Sequence, residues 1–370
     1  MNRKVYEMGT SVLDLPYDVP PDPDEFIRAA MEWHFSPETG SRFWLERAGS
    51  LEFDPRKDVK SHEDLALFPN LINELRDIRI EDLIPRGYGA HPDVIGVYES
   101  GGTTGAPKRV VVLRDWWDRT GAWMSAHADA HGLPRNVNWL GITPSGPHFI
   151  GEIVAKQAID RGGIKFSIDM DPRWVKKLIA AGKAGEAEAY AEHLLEQAVF
   201  PLRTQDIGII LTTPPMLERI ARRDDLVELI NEKVQGIMWG GAHMDGDTRY
   251  LYRTEVFPGA RLYGFYGSTM VLGGAAERLG LSDDDPCVFD AFSPFITFSV
   301  IDPQTGRKVG YGERGQVVMN HVSKNMLMPN NLERDLATRV AAPAGTVGDS
   351  VADVTPVALF DNEAVIEGVY

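Results

Sequence analysis

The sequence has one cysteine, Cys287, so no disulfide can form within the chain. It has no apolar run of about 18 residues, which predicts no membrane-spanning helix. The first stretch, MNRKVYEMGTSVLDLPYDVPPDPDEF, lacks the apolar segment of a secretory signal and turns acidic and proline-rich instead. These absences predict a cytoplasmic protein. Basic residues are in deficit: 38 lysines and arginines face 54 acidic residues, a net charge of -16. Such a field repels phosphate backbones and predicts no nucleic-acid partner. It does not bar a small anion, because a loop of backbone N–H groups holds phosphate against an unfavourable net field. Internal repeats and long flexible linkers are also missing.

What remains is a chain of 370 residues, 43% hydrophobic and 25% charged, long enough for one large domain of packed lobes. Residues 1–23 predict an extended lead-in, since four prolines oppose helix. DEFIRAAMEWHF predicts a short amphipathic helix and SHEDLALFPNLINELRDI one or two more. DVIGVY (93–98) and RVVVL (109–113) are strand candidates, and residues 115–131 predict a helix capped by Asp115. AAGKAGEAEAYAEHLLEQAV (180–199) is rich in good helix formers. DIGIIL then leads into PPMLERIARR, QGIMWGG into a polar stretch with TRYLYRTEV, and ARLYGFYG follows. This rhythm predicts an α/β fold with a partly parallel sheet. From 295 onward, FITFSVIDPQTGRKVGYGERGQVVMNHV predicts an antiparallel hairpin about a DPQTG turn, so the fold mixes α/β with a β-rich portion.

SGGTTGAPK (100–108) is the most informative segment. Gly101, Gly102 and Gly105 let backbone approach a ligand, Ser100, Thr103 and Thr104 add hydroxyl donors, and Lys108 adds charge. Placed after a strand, the set suits a polyphosphate; the plain alternative is a glycine-rich hairpin turn with a solvated lysine. Pro107 and Arg109 break the G-x-x-x-x-G-K-[ST] pattern, and no G-x-G-x-x-G follows the strand. His127 and His131 stand at i and i+4, but Ala128 takes the place of the glutamate a zinc protease needs there, so packing is the reading and no metal ligands are assigned.

In this order, SGGTTGAPK, WGGA (239–242), YGSTM (266–270), YGERGQVV (311–318) and VGDS (347–350) resemble the signatures of the adenylate-forming superfamily, which includes acyl-CoA synthetases, luciferases and peptide-synthetase adenylation domains. YGSTMVLGG is most similar to the phenylacetate–CoA ligase branch. Within that branch, the short length resembles the stand-alone adenylation proteins of phenazine antibiotic biosynthesis. The resemblance implies a large domain over 1–355, with α/β lobes to about 290 and a β-rich lobe over 291–355. Residues 356–370 would then be a hinge remnant, with the small C-terminal domain and its catalytic lysine absent.

It further implies attack of a carboxylate on the α-phosphate of ATP, giving an acyl adenylate and pyrophosphate, with AMP as the later product. Thr103, Thr104 and Lys108 would hold the outer phosphates, and Thr269 the α-phosphate. Gly240, Gly241 and Ala242 would line the nucleotide. Tyr266 would stack on adenine, or is a core aromatic; Asp349 would accept from the ribose hydroxyls, or is a turn aspartate. His148 would stand beside the carboxylate, or is a satisfied structural histidine. Phe149, Trp239, Gly241, Gly267 and Met270 are the candidates for the acyl pocket. The family's motif ends in a glutamate where this chain has Met270, so Mg2+ would be held mainly through phosphates.

The leading expectation is therefore an enzyme activating an aromatic carboxylic acid in secondary metabolism. Its adenylate would pass to a partner such as a reductase or acyl acceptor, with turnover slow or partner-dependent. Two further expectations are a non-catalytic nucleotide or acyl-adenylate binder and an aryl-CoA ligase completed by a separate domain. A homodimer is compatible with the sequence.

Overall fold

Short, apolar runs bounded by glycine and proline build the centre of the molecule. The computed structural model describes residues 11–100, 107–283, 285–357, 359–360 and 363–364. Two strands, β1 (Val94–Glu99) and β2 (Arg109–Leu113), form an antiparallel ribbon of their own. Eleven more form one sheet. They are β3 (Asn138–Ile142), β4 (Lys165–Ser167), β5 (Ile207–Thr212), β6 (Gly236–Gly240), β7 (Arg261–Ser268), β8 (Gly273–Glu277), β9 (Val288–Ala291), β10 (Ile296–Ile301), β11 (Arg314–Val322), β12 (Leu327–Val340) and β13 (Ser350–Pro356).

The spatial order is β10-β11-β12-β13-β9-β8-β7-β6-β5-β3-β4. From β4 to β7 every pairing is parallel, and from β7 to β10 every pairing is antiparallel. The parallel strands are covered by helices on both faces, which is why β5 is buried along its whole length. The antiparallel half curls until β10 returns to the chain just before β13, where Asp349 N donates to Phe298 O at 2.9 Å. The mixed α/β class expected from the rhythm of strands and helices is what the structure has.

The helix Arg114–Ala130 carries the core across both halves. Trp123 stacks on Phe292 at 4.5 Å, Trp116 lies 5.7 Å from the same ring, and the Trp116 indole donates to Leu272 O at 2.9 Å. Asp115 does not cap this helix. The cap position is Leu113, and Asp115 sits inside the first turn, where it accepts from Tyr88 Oη at 2.5 Å. Two other readings are corrected. SHEDLALFPNLINELRDI forms two short helices, His62–Leu67 and Glu74–Arg76, but of the tighter 3-10 kind, because Pro69 pushes Phe68 to extended backbone and leaves each run too short to propagate an α-helix. After the DPQTG turn the chain makes an excursion over 307–313, so β11 begins at Arg314 rather than at the turn. Pro23–Phe35 and Pro214–Ala221 are helices where the pattern placed them, while the helix expected over 180–199 runs instead from Ala184 to Thr204, after a break that ends the preceding helix at Ala180. Cys287 is buried and free. Among the described residues no helix is long and apolar enough to cross a membrane.

Several histidines are built into this core in the neutral form. His321 donates from Nδ1 to Val271 O (2.6 Å) and accepts from Ser323 Oγ at Nε2 (2.7 Å); His34 donates to Ser323 O at 2.7 Å. His127 packs on Trp123 and His131 stacks on Tyr263, which is the packing role expected for that pair. Burial lowers the pKa of His34 and His127 to about 4 and that of His321 to about 3. The unfolded chain therefore binds more protons than the folded one between pH 6.5 and these values, and stability is lost as pH falls through that window. Each such histidine lowers stability by up to about 1.4 kcal/mol per pH unit. Thermal denaturation between pH 7 and 4.5 is expected to show the decline, and His34→Gln to flatten it; an unchanged slope in the variant would refute the assignment to His34.

Candidate active site

Loops following the C-terminal ends of the parallel strands gather at one edge of the sheet, and the direction of pairing reverses there at β7, the kind of place where open α/β sheets bind ligands. WGGA lies at the end of β6. Trp239 is buried against Phe289, with ring centroids 5.9 Å apart. A Cβ on Gly240 would come within 2.5 Å of Phe265 O, so only glycine lets β6 lie this close to β7. Gly241 has φ +80°, turning the chain away from the sheet. Ala242 is half-buried beside it, and the next residue, His243, donates from Nδ1 to Val354 O at 2.6 Å, tying this loop to β13.

Tyr266 and Gly267 are the next to last residues of β7. The Tyr266 hydroxyl donates to Asp335 Oδ2 at 2.8 Å, and its ring lies 5.8 Å from Phe289 and 5.6 Å from Phe298. Gly267 pairs with Gly274 of β8, and a side chain on either would strike the backbone of the facing strand. Thr269 is half-buried at the turn that follows, while Met270 is buried in the core.

Asp349 is buried, with 3% of its surface exposed. Oδ1 pairs with Arg339 at 2.9 Å, whereas Oδ2 is buried and accepts from no described group. Arg339 is itself held, donating to Val309 O at 2.6 Å and lying 4.2 Å over the ring of Tyr311. A buried carboxylate oxygen left without a donor is costly unless something else supplies one. Asp349 is therefore no solvated turn aspartate.

The ribbon of β1 and β2 holds the two ends of the segment 100–108. Glu99 N donates to Pro147 O at 2.8 Å, and the Asn325 side chain bridges Leu113 N (2.6 Å) and Val111 O (3.1 Å), so both strands are anchored. The ends of the segment close on each other: Ser100 N donates to Lys108 O at 2.9 Å and Lys108 N to Ser100 Oγ at 3.1 Å. Gly101, Gly102, Thr103, Thr104 and Gly105 lie outside the described residues. The segment thus joins two strands of a hairpin, a topology shared by the plain reading and the phosphate-binding one. Because the Ser100 hydroxyl oxygen serves as acceptor here, its own proton is left to donate.

His148 precedes the helix Phe149–Asp160 and is 6% exposed; its Nε2 is buried without a partner among the described residues. Burial, then the charge of Arg173, holds its pKa below the usual histidine value. It is a neutral imidazole with one nitrogen to offer. Phe149 packs against Tyr98 at 5.4 Å and Trp117 at 5.8 Å, under the ribbon.

No protein-family model and no curated protein matches the sequence. Solved structures do. The chain is similar to 2-hydroxyisobutyryl-CoA ligase in an open conformation with 2-HIB-AMP and CoA, with a TM-score of 0.62 and 15% identity, covering 95% of this chain and 84% of that one. The same ligase in its thioesterification state gives 0.61 and 17% identity, covering 90% of this chain and 67% of the other. Its postadenylation state gives 0.60 and 17%, covering 89% and 66%. The chain has the fold of the adenylate-forming ligases.

On this adenylate-forming fold, WGGA, Tyr266 to Met270 and Asp349 come together around Phe289 and Phe298, although 110 residues separate Trp239 from Asp349 in sequence. Several residues of the site carry no motif. Arg339 and Asp335 are ordinary charges in the sequence, and only their partners across the fold mark them. Among the described residues, no group of three metal-ligating side chains stands together. Met270, at the place of the motif glutamate, offers a buried thioether that a hard cation does not take.

Proposed function

We propose that this protein binds ATP and activates a carboxylic acid as its acyl adenylate. The observation that carries the reading is Asp349: a buried carboxylate with one oxygen fixed by Arg339 and the other without a donor among the described residues, bridged by its backbone to Phe298, against whose ring Tyr266 packs. A ribose hydroxyl supplies that donor. Lys108, Ser100 and the N–H groups of 101–105 would hold the outer phosphates, and Thr269 the α-phosphate. In the reaction the acid's oxygen bonds to the α-phosphorus as the bond to the pyrophosphate oxygen breaks. The protein's part is to bring two anions together and to meet the charge on the phosphoryl oxygens. His148, neutral and with Nε2 unpaired, is suited to donate to or accept from the acid rather than to repel it through a fixed charge. Mg2+ accompanying ATP would be held by phosphate oxygens and water.

The finer reading is an aromatic acid, received by a flat slot among Trp239, Gly241, Gly267, Phe149 and Met270, in secondary metabolism of the phenazine kind. The adenylate would then pass to a reductase or acyl acceptor protein. This rests on the resemblance of YGSTMVLGG and on the glycines at 240, 241 and 267. A second reading, a non-catalytic binder of nucleotide or acyl adenylate, is favoured by the burial of Met270 where the family has glutamate.

Pyrophosphate exchange into ATP over a panel of aryl acids separates the two. Exchange with one or a few planar acids is the expected result. Tight calorimetric binding of a non-hydrolysable acyl-adenylate analogue with no exchange for any acid would favour the binder. Binding of neither nucleotide nor analogue would sink both.

A further inference from the structure

The parallel end of the sheet stops at β4, and no described strand lies on its outer side. Trp139 N donates to Ile164 O at 2.9 Å and Ile168 N to Gly141 O at 3.3 Å, so Ile164, Phe166 and Ile168 turn their backbone groups towards β3. In a parallel ladder the residues between them face the other way. The N–H and C=O groups of Lys165 and Ser167 therefore point outwards, and no described group bonds to them.

Both faces of this edge are flanked by apolar side chains. The chain steps outwards from β3 to β4 and then back past β3 to β5, so right-handed crossovers put the two connections on opposite faces of the sheet. The helix Phe149–Asp160 covers one face, and Ile159 in its last turn is 69% exposed. The helix Ala184–Thr204 covers the other and is tied to β4 at two levels. Gln197 Oε1 accepts from Asp169 N at 2.8 Å. The Asn138 side chain joins Ile164 N (3.1 Å) to Asp206 O (3.0 Å), just past the end of the helix. Phe200 lies between these ties, level with β4, and is 71% exposed; Ile164, just before the strand, is 62% exposed. No large apolar side chain among the described residues is more exposed than Phe200 and Ile159.

We propose that β4 is a dimer interface, pairing antiparallel with β4 of a second copy across a two-fold axis so that one sheet runs through both molecules. Apolar side chains clustered in water about an open sheet edge mark a contact surface. A second copy is the occupant because the surface has three layers. An added peptide strand would pair with Lys165 and Ser167 but leave Ile159 and Phe200, on opposite faces, in water. A partner whose own edge strand is sandwiched between helices covers all of it, and a two-fold axis through Phe166 supplies that partner. Lys165 then exchanges both backbone hydrogen bonds with the partner's Ser167 and lies diagonal to the partner's Asp169, an opposite charge. Phe200 and Ile159 are each brought towards their own counterparts, as an isologous contact requires. The strand is only three residues long and carries Lys165, features that keep an edge from pairing at random. Antiparallel pairing also reverses strand direction, so the two candidate active sites open at opposite ends of the joined sheet.

Sedimentation equilibrium of the full chain tests the interface. The wild type is expected to be a dimer at micromolar concentration. It should be tighter in about 0.3 M than in about 0.05 M salt, because each copy carries a net charge of -16 and salt screens the repulsion. Phe200→Glu and Ile159→Glu are each expected to raise the dissociation constant about tenfold or more, with an unchanged circular dichroism spectrum. Leu67→Glu, at a side chain 51% exposed away from β4, should leave it unchanged. Hydrogen exchange needs no variant: the amides of Lys165 and Ser167 should exchange more slowly as protein concentration rises.

A wild type that stays monomeric up to about 100 µM at both salt concentrations overturns the proposal. So does a dimer that Phe200→Glu and Ile159→Glu both leave intact, or one in which exchange at Lys165 and Ser167 does not slow. A dimer lost in Leu67→Glu alone places the interface elsewhere.

Discussion

Asp349→Ala is expected to weaken AMP and ATP binding by about a hundredfold while leaving inorganic pyrophosphate untouched. The size follows from the acceptor that is lost: a hydrogen bond to a charged group contributes about 1.5–3 kcal/mol, and Oδ2 can take ribose hydroxyls that no described protein group satisfies. Pyrophosphate has no ribose, so it reports on the phosphate side alone. Asp349→Asn separates charge from shape, since the amide retains one oxygen but no longer matches Arg339. Arg339→Gln should act through Asp349, with a smaller loss, because Arg339 orients the carboxylate and also rests on Tyr311. Equal loss of AMP and pyrophosphate in Asp349→Ala would show a damaged fold rather than a lost ribose contact. No loss of AMP affinity would remove Asp349 from the site.

The largest effect on stability is expected at Glu277. Its Oε1 accepts from Arg249 Nη2 at 2.6 Å and Arg253 Nη2 at 2.7 Å, and its Oε2 accepts from Gly264 N at 2.7 Å. The Arg249 side chain is wholly buried and that of Glu277 only 1% exposed. Removing the carboxylate leaves a guanidinium in the interior with its charge uncompensated, so Glu277→Ala should cost about 3–5 kcal/mol. It also frees an N–H in β7 two residues before Tyr266. Urea denaturation measures this, and a cost below about 1 kcal/mol would mean that water reaches Arg249 once the carboxylate is gone. Pairing Glu277→Leu with Arg249→Met should recover much of the loss, because a buried ion pair replaced whole by apolar side chains is often neutral.

Much of the scaffold was legible before any coordinates. Ile207–Thr212 is apolar along its length because both faces of a central parallel strand are covered, and Pro214 follows at the start of a helix. Local signals failed where tertiary contacts overruled them. Asp115 has the chemistry of a cap but sits one residue inside the helix, its carboxylate engaged by Tyr88. The run from 61 to 78 has helical residues, yet Pro69 divides it and only short 3-10 helices form. At the site, the glycines of WGGA and YGSTM were expected to line the ligand; the structure adds that Gly240 and Gly267 are pressed against neighbouring strands. Arg339 announced nothing, since an arginine in sequence carries no sign of what it will face.

The sequence alone determined the mixed α/β class, the alternation of strand and helix over about 206–266 and the motifs at 239–242, 266–270 and 347–350, because propensity, periodicity and glycine's freedom act over a few residues. Only the tertiary structure decided which charges meet: Asp349 with Arg339, Tyr266 with Asp335, Glu277 with Arg249. Electrostatic energy depends on separation in space and on burial, and neither quantity exists until the sheet has curled back on itself.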